Sequence, residues 1–189
     1  MSESGLPGPH PLRLFFALWP SAAKRRSLAS AAAAVVSRFR GQPVPAANLH
    51  VTLAFLGSVP GRGLAELVRI GGQGGYPAFE LVFDRLDYWP KPRVLVATSS
   101  ATPPEGIEVV KRLWQRIEPL GFRRESRPWR PHLTLARKVP RPGSGEHAVP
   151  LDPPPASDDP EPWSLALVES VTHPQGVRYR PLAEWPLGR

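Results

Sequence analysis

His50-Val51-Thr52-Leu53-Ala54 recurs, with one aliphatic exchange, as His132-Leu133-Thr134-Leu135-Ala136. In an extended strand residues i and i+2 point the same way, so each copy places a His and a Thr on one face and aliphatic side chains on the other. The aliphatic face can pack on a core while the polar face lines a cleft. The whole chain has only five His, so random placement is a poor explanation for two matched copies.

Working outward, the order strand, helix, His strand occurs twice. Leu12 to Trp19 reads as a buried strand, Ser21 to Arg40 as a helix capped by Ser21, and Leu49 to Leu56 as the first His strand. Arg93 to Thr98, Glu105 to Leu120 and His132 to Val139 repeat that order, with Val109, Val110, Leu113, Trp114 and Ile117 on the helix stripe and Gly121 at its end. Phe15 lies 35 residues before His50 and Leu95 lies 37 before His132, the outline of an internal duplication. The expectation is an α+β fold of two pseudo-twofold-related lobes, antiparallel sheets flanked by helices, with the two His strands facing a central groove. Between these units, Leu64 to Ile70 reads as a short helix ended by the run 71–75, and Phe79 to Tyr88 as a strand. Two closing strands are expected near Trp163–Thr172 and Val177–Leu187.

The chain of 189 residues suits one bilobal domain over 12–189, preceded by a disordered tail over 1–11 and interrupted by a proline-rich loop at about 139–162. The run from Leu14 to Trp19 is too short for a signal peptide and is followed by Lys24-Arg25-Arg26, and no stretch approaches a membrane span. With no cysteine there is no disulfide framework, no thiolate nucleophile and no Cys-based metal site, and the expectation is a cytoplasmic monomer. A net charge of +8 favours polyanionic partners, phosphate-bearing ones among them. A proteome bias toward Arg gives the same charge.

Two imidazoles across one cleft suit a reaction that removes a proton on one side and delivers one on the other. In-line displacement at phosphorus is such a reaction, and the Thr hydroxyls can donate to the non-bridging oxygens where charge collects. Arg137, five residues after His132, lies on the opposite side of an ideal strand, but a bulge or the strand end would turn its guanidinium inward. Phe15 either stacks on a nucleobase or belongs to the core. His10, His147 and His173 fall in tail, loop and turn, outside any catalytic pattern. Two His with no third ligand at zinc spacing make a poor metal sphere.

The chain resembles the 2H phosphoesterases, and within them the RNA 2′,3′-cyclic phosphodiesterases once described as 2′-5′ RNA ligases. The resemblance rests on Arg13-Leu14-Phe15-Phe16-Ala17-Leu18, Asn48-Leu49-His50-Val51-Thr52-Leu53-Ala54-Phe55-Leu56-Gly57, Pro92-Arg93-Val94-Leu95, Arg130-Pro131-His132-Leu133-Thr134-Leu135-Ala136-Arg137, Arg178-Tyr179 and Glu184-Trp185-Pro186-Leu187. Lys91 and Trp129 sit beside these segments without an evident match. The resemblance implies a cofactor-free and metal-independent enzyme that opens a terminal 2′,3′-cyclic phosphate on RNA to a 2′-phosphate. By the same likeness His50 is the proton donor, His132 the proton acceptor, and Thr52, Thr134 and Arg137 hold the phosphate. The alternatives are another 2H reaction, on 2′-5′-linked or small cyclic nucleotides, and a non-catalytic module that binds RNA ends.

Overall fold

A computed structural model describes residues 10–140, 148–150, 163–174 and 176–188. Its elements are β1 (Leu12–Trp19), α1 (Ala22–Arg38), β2 (Gln42–Pro43), β3 (Val51–Val59), α2 (Leu64–Gly72), β4 (Arg85–Trp89) and β5 (Val94–Thr98). Then come α3 (Pro104–Ile117), β6 (His132–Arg137), β7 (Ala148–Pro150), β8 (Ser164–His173) and β9 (Gly176–Pro186). They form two antiparallel sheets, the first in the order β3-β1-β8-β9 and the second in the order β2-β6-β5-β4-β7. In each sheet the strand that opens the repeat lies directly inside the His strand: β1 beside β3, β5 beside β6. The duplication seen in the sequence is therefore a duplication of topology.

β1 explains why its residues form an unbroken apolar run. Leu14, Phe16 and Leu18 enter the main core, whereas Phe15, Ala17 and Trp19 pack with Ala166 and Val168 on the other face. A strand covered on both faces has no polar side to show. The main core is one apolar cluster that takes in both sheets: Leu14, Phe16 and Leu18 from the first, Leu95, Ala97 and Leu133 from the second. The helices close it. α1 contributes Leu28, Ala32 and Val36, four residues apart on one stripe, and the Ser21 side chain caps it by accepting from the Lys24 N–H (3.0 Å). α3 begins with Pro104 in its first turn and buries the expected stripe from Val109 to Ile117; a 3₁₀ turn over Glu118–Leu120 then ends at Gly121 with φ of 91°.

Several boundaries differ from the sequence expectation. The strand expected over Phe79–Tyr88 is β4 alone, Arg85–Trp89. Upstream, Phe83 is buried, but the backbone there is held by side chains instead of a ladder: Ser99 Oγ donates to the Val82 carbonyl, and the Ser100 N–H donates to Asp84 Oδ1 (2.8 Å). Gly71 and Gly72 do not end α2 but form its last turn, where a Cβ on Gly71 would lie 2.2 Å from Cζ3 of Trp185. Their role is close approach of helix to indole. β6 stops at Arg137 because Lys138 takes φ of 52°, short of the expected Val139. The stretch expected as a proline-rich loop carries β7, which pairs with Arg85–Asp87 of β4; the remainder of that loop, 141–147 and 151–162, and residues 1–9 of the expected tail lie outside the described residues. Among the described residues no helix is long and apolar enough to cross a membrane.

Candidate active site

Both motif copies break their strand at the same residue. Along β5 and β6, Val96 pairs with Thr134 and Leu95 with Ala136, which leaves Leu135 as an extra residue; along β1 and β3, Ala17 pairs with Thr52 and Phe16 with Ala54, which leaves Leu53. Each is a β-bulge, and an extra residue reverses the alternation beyond it. Leu and Ala of each copy are consequently buried side by side. The residue five places after each His is turned back to the face of that His. In the second copy it is Arg137, and in the first it is Phe55, which pairs with Phe15 across the ladder.

The two imidazoles are oriented alike. Nδ1 of His50 lies 2.7 Å from the Asn48 carbonyl oxygen, and Nδ1 of His132 lies 3.0 Å from that of Arg130. A carbonyl only accepts, so each Nδ1 carries the proton and, in the neutral ring, each Nε2 is the nitrogen left able to accept one. The backbone two residues upstream thus fixes the tautomer in both copies.

Around His50 stands an aromatic wall, with ring centroids of Tyr179, Phe15 and Trp19 at 4.8, 4.9 and 5.9 Å. Phe15 shows only 3% of its surface, and its ring is engaged by His50 and Tyr179; it belongs to this wall, not to an open stacking platform. Trp89 of β4 stands 4.7 Å from the His132 ring. Arg137 of the second sheet donates from Nη2 to the Tyr179 hydroxyl of the first (3.2 Å). Tyr179 is itself held by Asn48, whose Oδ1 accepts from the Tyr179 N–H (3.1 Å) while its Nδ2 donates to the Val177 carbonyl (2.8 Å). One asparagine orients a histidine through its backbone and a tyrosine through its side chain. Thr52 and Thr134 stand two residues after their histidines, both half-buried.

Burial pushes the His50 imidazole down to about 4 against the pull of the Asn48 carbonyl, and the positive charges of His132 and Arg137 lower it further. His132 and Arg137 therefore both lie within electrostatic reach of His50. Burial also lowers His132, opposed by the Arg130 carbonyl and Glu125, with Arg127 and Arg130 adding to the fall. Both shifts favour the neutral ring in the free protein, and an anion bound beside either ring would favour its imidazolium form.

The sequence reading missed four neighbours of this site. Phe55 is 44% exposed on the His50 face, with the Arg13 guanidinium 4.8 Å from its ring centroid. Aligning the two copies would have found it, because it holds the place of Arg137. Asn48 and Tyr179 stand in segments that carry the resemblance and Trp89 does not, but the roles of all three depend on strand pairing. His10 precedes β1, His173 stands at the end of β8, and His147 lies outside the described residues. Among the described residues no group of three or more His, Cys, Asp or Glu is placed to hold a metal.

Residues 18–96 match the family described as LigT like phosphoesterase. The chain is 33% identical over 183 residues to the RNA 2′,3′-cyclic phosphodiesterase of Escherichia coli K12, covering 94% of this chain and 97% of that protein. Its fold is similar to the crystal structure of E. coli LigT complexed with 3′-AMP (TM-score 0.73, 29% identity, 95% of this chain and 99% of that one). It is equally similar to a structure from Thermus thermophilus (TM-score 0.74, 29% identity, 93% and 98%). With a curated relative matched over nearly its whole length, the chain belongs to the LigT-like phosphoesterases of the 2H superfamily.

Proposed function

We propose that the protein hydrolyses the 2′,3′-cyclic phosphate at an RNA end to a 2′-phosphate. The observation that carries this reading is the matched setting of two imidazoles, one at each sheet and each with Nδ1 tied to the carbonyl two residues upstream, with Arg137 of the second sheet bonded to Tyr179 of the first. The matched E. coli phosphodiesterase supports the substrate class.

In the proposed reaction, Nε2 of His132 takes a proton from water as its oxygen bonds to phosphorus. The P–O3′ bond breaks, and O3′ takes the proton from Nε2 of His50. Water is thereby added across one P–O bond, and the two histidines exchange protonation states. Arg137 and the hydroxyls of Thr52 and Thr134 hold the non-bridging oxygens, whose charge grows in the transition state. Phe55 offers an exposed aromatic ring on the His50 face of the first sheet, where a base can stack.

The test is a short RNA ending in a 2′,3′-cyclic phosphate, incubated with the protein in EDTA and followed by phosphorus NMR. A 2′-phosphate is the expected product. A 3′-phosphate would reverse which ribose oxygen leaves, and loss of turnover in EDTA with recovery in zinc would overturn the metal-free mechanism. Absence of turnover on this RNA, with cleavage of a 2′-5′-linked dinucleotide instead, would move the protein to the alternative 2H reaction.

The pH dependence follows from the two depressed imidazoles. For kcat/KM a bell-shaped profile is expected, because one ring must be protonated and the other neutral, and its midpoint is the mean of the two free-enzyme values. His50 is pushed down to about 4 and His132 also lies below its ordinary value, so the maximum falls on the acid side of 6.5. The bound phosphate anion stabilises the imidazolium form, so the kcat profile is displaced to higher pH. Initial rates across pH 4 to 9 check this, and a kcat/KM maximum in the alkaline range would contradict it.

A further inference from the structure

We propose that the arginine-rich loop over residues 121–131 docks the sugar–phosphate backbone of the RNA on the 5′ side of its cyclic end. This inference rests on the proposed function. Arg123, Arg124, Arg127 and Arg130 are all exposed, and the one carboxylate among them, Glu125, is engaged by Arg127 (3.0 Å). Arg123, Arg124 and Arg130 make no ion pair among the described residues. Three guanidinium charges therefore face solvent within eight residues of one loop, where their planar forks match phosphate oxygens.

The loop is fixed at the rim of the site. It runs directly into His132, and its C-terminal end is anchored by Trp129, whose indole N–H donates to the Thr52 carbonyl (2.9 Å) of the opposite His strand. The same indole seats in a slot left by Gly106 of α3, where a Cβ would lie 2.8 Å from Trp129 Cζ3. Trp129, which had no match among the segments that carry the family resemblance, thus has a role: it holds a cationic strap between α3 and β3. The fields of Arg127 and Arg130 reach His132, in keeping with that placement. An RNA bearing a cyclic phosphate at its 3′ terminus continues only through the 5′ oxygen of its last ribose. Its next phosphates must leave over the rim, and unpaired guanidinium groups held there would neutralise them.

Arg123 and Arg124 are not among the groups that act on His132, which makes them the sites to change. The experiment compares wild type, the double variant Arg123→Ala/Arg124→Ala and, as a rim control on the first sheet, Arg13→Ala. Substrates are a cyclic-ended hexanucleotide and a nucleoside 2′,3′-cyclic monophosphate, each followed over a range of KCl concentrations, with binding of the hexanucleotide by fluorescence anisotropy. For the double variant, hexanucleotide kcat/KM should fall about tenfold. The dependence of its logarithm on log salt should flatten by about 1.4, from roughly 0.7 for each of two phosphates. Monomer hydrolysis should be unchanged. Equal losses on both substrates, an unaffected hexanucleotide, or a loss confined to Arg13→Ala would overturn the proposal. Should wild type turn over neither substrate, the proposed function fails, and anisotropy alone decides the loop: weaker binding by the double variant supports it and unchanged binding sinks it.

Discussion

His50→Ala and His132→Ala should each slow cyclic-phosphate hydrolysis by roughly 10² to 10⁴, the usual worth of one positioned general acid or base. Each ring is already committed at Nδ1, so in the proposed reaction its removal takes away the nitrogen that moves the proton. The double variant should fall short of the product of the two single effects, because the groups act as a pair. A sulfur substitution distinguishes their roles. In a cyclic substrate whose O3′ is replaced by sulfur, the leaving thiolate needs no proton, and His50→Ala should recover most of its lost rate. His132→Ala should not, since the attacking water still needs a base. Recovery in the reverse order would exchange donor and acceptor. A change below tenfold on the natural substrate would remove that His from the mechanism. Thermal denaturation of His50→Ala is the control, because its ring fills the space between Phe15, Trp19 and Tyr179.

Arg137→Ala should cost about 10² to 10³ in kcat, as expected for a donor whose bonds strengthen while charge builds on phosphorus. Arg137→Lys should recover little of that, because an ammonium has three donors on a single nitrogen and lacks the planar fork whose separated nitrogens can hold Tyr179 and a phosphate oxygen together. Kinetics on both variants check this. An effect confined to KM would make Arg137 a ground-state binder, and full activity of the lysine variant would show that charge alone suffices.

How much of this could be read from the chain follows the range of the interactions. The two motif copies, the cap at Ser21 and the stripe of α3 are local patterns, and they were legible. The alternation along an ideal strand put Arg137 on the wrong face; only its pairing with β5 shows that Leu135 is extra and that the bulge anticipated as one option is the one adopted. Phe79 to Asp84 has the apolar spacing of a strand, yet the Val82 carbonyl is taken by the Ser99 hydroxyl and the Ser100 N–H goes to the Asp84 side chain, so these groups make no ladder. β7 lies in a proline-rich stretch with no alternation to reveal it. Tyr179, almost 130 residues beyond His50, reaches that ring only through β8 and β9.

The strand order of the first sheet carries a consequence for synthesis. β1 is made before β3 to β7 but sits between β3 and β8, and β8 and β9 are made after all of these. Strands β4, β5 and β6 are already present when they arrive, so the second sheet can assemble while β1 still exposes one edge. Long-range pairing of this kind is slow and leaves an open edge in the interim. The hydroxyl that receives Arg137 and the ring that closes over His50 both belong to β9. A nascent chain can therefore hold both histidines for some time without holding an active site.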